Sequence, residues 1–343
     1  MKVNKNKPQT KKVKSISLAL QGGGSHGAFT WGVLDRLIEE ESIRIEQISA
    51  TSAGAMNAAV LNYGYSKGGV ELGKKLLESF WKKISFISAF SPVQSNVFEK
   101  FMGVNSVNAN PMFQAADMLR HLFSPYQLNF LDVNPLRDIL NEIIDFEELR
   151  DIKKIKLFVN ATNIKTGKLK VFKCEEITDK VLLASACLPY VMQTVTIDGE
   201  KYWDGGFSGN PALSPLIYNT KASDIVIVQI IPFHFEENPL NIPEIIDRVN
   251  EISFNTALLK EVDGIMSVNE LVESKEIKTV DYRRINVHLI GNEEIITSLG
   301  RASKLNADWQ FLTYLRDAGR QTAEDWLKQN YDSLGKESTI VLP

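Results

Sequence analysis

Short aliphatic runs alternate along this chain with longer amphipathic stretches, and the alternation predicts an α/β fold with a largely parallel sheet. The first run, Ile16-Ser17-Leu18-Ala19-Leu20, reads as a strand. Behind it Phe29, Val33 and Leu37 form one four-spaced row and Leu34 and Ile38 an adjoining one, a helix to about Glu41 with one buried face. A second strand-like run, Ile45-Glu46-Gln47-Ile48, precedes Ala53, Gly54, Ala55, Ala58 and Ala59, whose small size lets a helix approach the sheet closely. The rhythm resumes near Lys156. Ile155 to Ala161 and Leu169 to Phe172 read as a strand pair around Lys165-Thr166-Gly167, followed by a helix from about Thr178 that ends before Pro189. Thr194 to Ile197 and Lys201 to Trp203 flank the turn Asp198-Gly199, Ile225 to Ile231 is of buried-strand type, and Ile285 to Ile290 forms a further strand. Lys304 to Asn330 is helical, with Trp309, Leu312, Leu315 and Trp326 as its apolar positions.

Residues 84–130 break this pattern. Phe86, Phe90, Phe98, Phe101, Phe113 and Phe123 are interrupted by Pro92, Gly103, Pro111 and Pro125, which predicts an inserted cap of short helices and loops. Its aromatics serve either as ordinary packing or as the wall of an acyl-chain groove, since apolar walls with few polar groups are what lipid-like ligands need.

Composition narrows the class without naming a chemistry. The 343 residues suffice for a full core, and 44% hydrophobic with 24% charged residues is the composition of a soluble globular protein. A net charge of −3 gives no reason to expect nucleic acid as a partner. The first fourteen residues carry six lysines and the first acid is Asp35, so residues 1–14 read as a solvated, disordered basic tail, or alternatively as a loose contact to an anionic membrane surface. Cys174 and Cys187 make no disulfide framework, which suits a reducing, cytoplasmic compartment. No apolar stretch approaches the ~20 residues that span a bilayer. The apolar run after the lysines ends in three glycines and makes a better strand than a signal peptide, while delivery by a specialised secretion system would leave no mark of this kind.

Two glycine-assisted turns hold the candidate chemistry. Gly22-Gly23-Gly24-Ser25-His26-Gly27 follows the first strand and opens a helix, and Ala50-Thr51-Ser52-Ala53-Gly54 follows the second. A loop rich in backbone N–H groups beside a serine on a tight strand-to-helix turn suits acyl transfer: the amides hold an oxyanion and the turn exposes the serine Oγ. Gly22-x-Gly24-x-x-Gly27 is also the dinucleotide fingerprint, but that reading wants an acid at the end of the second strand, and Thr51-Ser52 stands there instead. Ser52 alone could equally be a helix N-cap. A serine nucleophile needs a base. Asp204-Gly205-Gly206 follows a strand and offers one, although Asp-Gly-Gly alone is also an ordinary turn. Of the four histidines, His234 and His288 have the chain order of a Ser…Asp…His triad, whereas His26 and His121 do not. No Cys/His/Asp cluster has metal-ligand spacing, so neither metal nor cofactor is expected.

Together these segments resemble the patatin-like phospholipase family, through Gly22–Gly27, Thr51-Ser52-Ala53-Gly54-Ala55, the approach Ser185-Ala186-Cys187-Leu188-Pro189, and Asp204-Gly205-Gly206. The resemblance covers roughly Ile16 to Asn219. The stretch beyond, with Asp317-Ala318-Gly319-Arg320, looks like the C-terminal extension of a bacterial subgroup. It implies a three-layer α/β/α sandwich with a mainly parallel central sheet: a catalytic domain over 15–219 carrying the cap, and 220–343 completing the sheet within the same globular unit. It also implies a Ser52–Asp204 dyad, with Ser52 as nucleophile and Asp204 as base. The oxyanion hole would lie in Gly22, Gly23, Gly24, Ser25 and Gly27, chiefly the amides of Gly23 and Gly24, with Gly54, Gly205 and Gly206 in support. Phospholipids or other long-chain acyl esters, met at a lipid surface, are the implied substrates. A catalytically weak or inactive lipid-binding or interaction protein on the same fold is the competing expectation. Two departures from the family pattern stand out: Ala50 at the first elbow position, and His26 where many members carry arginine or lysine.

Overall fold

Eight strands form one sheet in the computed structural model, which describes residues 12–89, 124–129, 132–189, 191–219, 222–234, 238–276, 283–299 and 301–342. The strands are β1 (Lys14–Leu20), β2 (Ile43–Ala50), β3 (Lys156–Asn163), β4 (Leu169–Lys173), β5 (Val195–Ile197), β6 (Glu200–Asp204), β7 (Asp224–Val228) and β8 (Asn286–Ile290). They run in the order β5-β6-β3-β2-β1-β7-β8, with β4 also pairing with β3. The five strands β3-β2-β1-β7-β8 are mutually parallel, while β4 and β6 meet β3 antiparallel. Both expected hairpins are present, and their turns use left-handed residues at Gly167 and at Asp198-Gly199.

The described helices are α1 (Gly27–Glu39), α2 (Ala53–Ala89, broken at Gly68-Gly69), α3 (Pro125–Leu128), α4 (Pro135–Ile143), α5 (Phe146–Asp151), α6 (Asp179–Ser185), α7 (Ser214–Tyr218), α8 (Ile242–Glu273), α9 (Glu293–Ser298) and α10 (Trp309–Asn330). Strand alternation sorts them into two outer layers. Ile16, Leu18 and Leu20 of β1 pack with Phe29, Leu34, Leu77 and Leu312 from α1, α2 and α10. Ala19, Ile225, Ile227 and Val287 face the other way, onto Leu258, Val262 and Ile265 of α8. A parallel sheet buried on both faces explains why its strands read as near-continuous apolar runs. This is the three-layer α/β/α sandwich with a mainly parallel central sheet.

Three differences from the expected elements have physical causes. The run Ile225 to Ile231 leaves the sheet at Val228, because the amides of Ile230 and Ile231 donate to Gln21 Oε1. The last helix starts at Trp309 rather than Lys304, since Asp308 caps it by accepting from the Gln310 amide. The 32-residue helix α8 had no counterpart among the expected elements. Most of the expected cap, and residues 1–11 of the basic segment, lie outside the described residues; Lys14 is the first residue of β1 and donates from Nζ to the Leu334 carbonyl (3.0 Å). Among the described residues no helix is long and apolar enough to cross a membrane.

The packing of α10 on α1 accounts for Asp317-Ala318-Gly319-Arg320. The two helices touch backbone to backbone: a side chain at Gly32 would collide with the Arg316 carbonyl, and one at Gly319 with the Phe29 carbonyl. Arg320 then reaches Glu39 with two hydrogen bonds (2.9 and 3.2 Å) and lies 3.6 Å from buried Asp35, whose carboxyl burial pushes up to about 7. Gly32→Ala would gain about 1 kcal/mol of helix propensity yet drive the helices apart. The expected net result is a loss of about 1–3 kcal/mol in stability, read as a lower urea midpoint; an unchanged midpoint would contradict the close contact.

Candidate active site

Strand register brings the three motifs to one level. Leu20 of β1 pairs with Ala50 of β2, and Ala50 with Val159 of β3. Asp204, the last residue of β6, pairs with Ala161, two residues further along β3. Gly22 and Ser52, each two residues past its strand, therefore stand beside Asp204 at the carboxyl edge of the parallel strands, the edge where open α/β sheets bind ligands.

Ser52 has φ 54°, in the left-handed region that a residue with a Cβ enters only under constraint. Its amide donates to Ser185 Oγ (2.9 Å), and its neighbour Thr51 is held at both ends, by its amide on the Leu20 carbonyl (3.2 Å) and by its hydroxyl on the Gly209 carbonyl (2.7 Å). Asn160 ties the strand beneath, donating to the Ala50 carbonyl (3.1 Å) and the Ser49 and Thr51 hydroxyls. Gly54 leaves no room for a side chain, because a Cβ there would come within 2.5 Å of the Leu20 carbonyl oxygen. The Ala50 methyl, the departure at the elbow, is fully buried. Among the described residues Ser52 Oγ accepts no first-turn amide, so it does not act as a helix N-cap.

The glycine loop lies directly against this serine. A Cβ on Gly22 would sit 2.5 Å from Ser52 Cβ. Asn210 fixes that approach from below: its Oδ1 accepts from the Gly22 amide (2.7 Å) and its Nδ2 donates to the Gly22 carbonyl (3.3 Å). The Gly22 N–H, expected among the oxyanion donors, is therefore occupied. The amides of Gly23 and Gly24 make no hydrogen bond among the described residues. Gly24 (φ 61°) opens the short 3-10 turn containing buried Ser25, and Gly27 begins α1 pressed against Ala53. His26 turns away to Ser303 Oγ (2.7 Å). Burial, with the Lys304 charge added, pushes its imidazole down to about 3, so it is neutral at ordinary pH.

Asp204 is wholly buried, with its backbone held by Cys187 (2.8 Å) and by the Thr162 hydroxyl (2.8 Å). Its Oδ1 accepts from the Gly206 amide (2.7 Å), whereas Oδ2 has no full hydrogen bond. Burial pushes the carboxyl up to about 7, and the Gly206 amide and the Ser52 hydroxyl partly oppose that rise by favouring the ionised form. The turn that follows is tight, with Gly205 against the Asn160 carbonyl and Gly206 against the Phe254 ring.

The other candidates are occupied elsewhere. His288 is buried between Asp224 (3.0 Å) and Thr339 (2.9 Å), two residues back from the carboxyl end of β8, and Asp224 begins β7 at the opposite edge of the sheet. His234 is exposed and joined by no hydrogen bond to Ser52 or Asp204 among the described residues, and His121 lies outside them. Both cysteines are free and buried, and burial pushes the Cys187 thiol up to about 12. Among the described residues no group of three side chains is arranged to hold a metal. The residues that hold the site in shape, Asn210, Asn160, Gln21 with Asn255, and Phe254, carry no local motif. Ser185 lies within a recognisable segment, but nothing in it announces a bond to the Ser52 amide.

A family model for patatin-like phospholipase matches residues 18–217. Among solved structures the chain is similar to VipD from Legionella pneumophila, at 16% identity and a TM-score of 0.41, over 93% of this chain and 67% of that one. It is also similar to a chain of the heterodimeric ExoU-SpcU complex from the type III secretion system of Pseudomonas aeruginosa, at 15% identity and a TM-score of 0.35, over 93% of this chain and 52% of that one. The present chain thus spans about half the length of the latter. No curated protein matches it.

The buried carboxyl has a consequence for stability. Folded Asp204 keeps its proton up to about pH 7, while the unfolded chain releases it near 3.8, so the folded state binds the extra proton between those values. The stability Asp204 contributes is full below about pH 4 and is lost as the pH rises through about 7. Asp204→Asn removes that loss. The variant is expected to unfold at a higher denaturant midpoint than wild type at pH 8, by up to about 4 kcal/mol, with the difference shrinking toward pH 5. A stability difference that stays constant between pH 5 and pH 8 would rule out the raised value.

Proposed function

Because the chain belongs to the patatin-like phospholipase family, we propose that it is a serine acyl-ester hydrolase acting on phospholipids or other long-chain acyl esters through a Ser52–Asp204 dyad. One observation carries this reading: a fully buried carboxyl, at the level of a serine in a left-handed elbow, with the serine hydroxyl as a polar group facing it. A carboxylate of ordinary pKa is a weak base, and one raised to about 7 is matched to neutral pH.

In this mechanism Ser52 Oγ attacks the ester carbonyl while Asp204 takes its proton. The tetrahedral oxyanion is met by the amides of Gly23 and Gly24, each worth roughly 3–4 kcal/mol. Collapse expels the alcohol, which leaves with the proton from Asp204, and the acyl group stays on Ser52. Water then attacks this acyl-enzyme, giving its proton to Asp204, and the carboxylic acid departs with Ser52 restored. Ser185 keeps the elbow amide satisfied and Asn210 keeps the glycine loop against the serine, so both act as positioning residues. With His26 neutral, the loop relies on amide dipoles and the helix N-terminus rather than on a fixed cation at that position.

A lipid and ester panel, combined with a fluorophosphonate probe, tests the reading. Wild type is expected to hydrolyse long-chain esters and to be labelled at Ser52, while Ser52→Ala and Asp204→Asn lose about a thousandfold or more in kcat. The profile of kcat/KM should rise with pH through about 7, as Asp204 ionises, and level off above. Full activity in either variant would sink the dyad. Folded protein that neither labels nor hydrolyses would favour a lipid-binding role on the same fold.

A further inference from the structure

The outer face of α8 carries a row of exposed apolar side chains. Ile242, Ile245, Val249 and Ile252 are 70%, 47%, 56% and 51% exposed, and their spacing of three, four and three keeps them on one side of the helix. Leu240, just before the helix, is 88% exposed. The inner face is satisfied without them: Leu258, Val262 and Ile265 pack on the sheet, and Phe254 lies against Gly206.

The stripe stands at the edge of the molecule where Ser52 lies. Asn255 of α8 binds Gln21, just past the carboxyl end of β1, whereas Asn269 binds the backbone of Ile285, just before the amino end of β8. The helix therefore runs against the parallel strands. Its twelve residues before Phe254, about 18 Å of helix, extend beyond the carboxyl edge. The segment 301–305 joins this projection to the glycine loop, with Lys304 paired to Glu251 (2.7 Å), the Lys304 backbone against Gly24, and Leu305 45% exposed.

We infer that this stripe, with Leu240 and Leu305, docks the protein on a zwitterionic phospholipid surface and so brings the mouth of the candidate site to the bilayer. The substrate class rests on the acyl-ester reading above. Two features select this occupant. Half-exposed aliphatic side chains on one helix offer a few hundred Å², short of the roughly 800 Å² per partner that a stable protein interface buries. A bilayer needs no complementary partner surface, because an amphipathic helix sinks its apolar face into the headgroup boundary. The charged residues interleaved with the stripe are Glu244, Asp247, Arg248 and Glu251, an acidic excess that suits a neutral surface rather than the anionic one that attracts lysines.

Binding is read by co-sedimentation with phosphatidylcholine vesicles on Ser52→Ala protein, so that the result does not depend on whether the chain hydrolyses esters. The Ser52→Ala protein is expected to bind at both low and high salt. Adding Ile245→Gln, Val249→Gln and Ile252→Gln together should lower the partition coefficient roughly tenfold or more without moving the thermal unfolding midpoint. Each single change should lower it partially, which keeps the test valid if the triple variant folds poorly. Tyr218→Gln, exposed beside the amino end of β3, should bind normally. Undiminished binding by the stripe variants overturns the inference. So does binding confined to anionic vesicles and abolished by salt, which would assign docking to the lysine-rich segment. A wild-type dimer that the triple variant dissolves would assign the stripe to a second copy of the chain.

Discussion

β3 is shared by partners that run in opposite directions, and the candidate site depends on that sharing. Its first half lies parallel to β2 and its second half antiparallel to β6. β6 pairs with the part of β3 that lies beyond the end of β2 and runs back toward it, so its last residue, opposite Ala161, reaches the turn that follows β2. A β6 parallel to β3 over the same residues would instead end opposite Asn163, away from that turn. The short β5–β6 hairpin and the pairing of Asp204 with Ala161 thus set a carboxylate beside Ser52 with little chain.

What keeps the residues there is a set of buried polar side chains committed to backbone groups. Asn210 grips Gly22, Ser185 accepts from Ser52, Asn160 binds the end of β2, and Gln21 holds Ile230 and Ile231 while donating to Asn255. Each satisfies an amide or carbonyl that the departing strands leave unpaired, and an unpaired buried group costs about 1–3 kcal/mol. Within this framework Asp204 is a wholly buried carboxyl with one oxygen lacking a full hydrogen bond. Its ionisation is unfavourable for the fold and useful for a base, the usual conflict where a protein holds a strained or poorly solvated group in a cleft.

α8 links this framework to the surface. Phe254 and Asn255 support the Asp204 turn and the glycine loop from within, while the residues one to three turns earlier face solvent with aliphatic side chains. One helix thereby couples the shape of the site to the face that surrounds its mouth. α10 supports the loop from the opposite face of the sheet to α8, where Gly319 and Arg320 fasten it to α1, the helix that begins at the glycine loop.

Local pattern was enough to read the strand runs, the two hairpins, α1 and the residues that carry candidate chemistry, because each depends on neighbours within a few positions. It failed for α8, where an outward stripe at Ile242 to Ile252 and an inward one at Leu258 to Ile265 leave no single apolar face to recognise. It overran β7, because Gln21, some 200 residues earlier, captures the amides that would have extended the strand. It counted Gly22 among free donors, since nothing nearby in sequence reveals Asn210. By itself, then, the sequence determined which residues have the right chemistry: a serine between small residues, a glycine loop, an aspartate followed by two glycines. Whether they meet was decided only by tertiary structure. Register across β1, β2, β3 and β6 sets their level, and burial, a property of the whole packed molecule, moves the Asp204 carboxyl from its ordinary range to about 7.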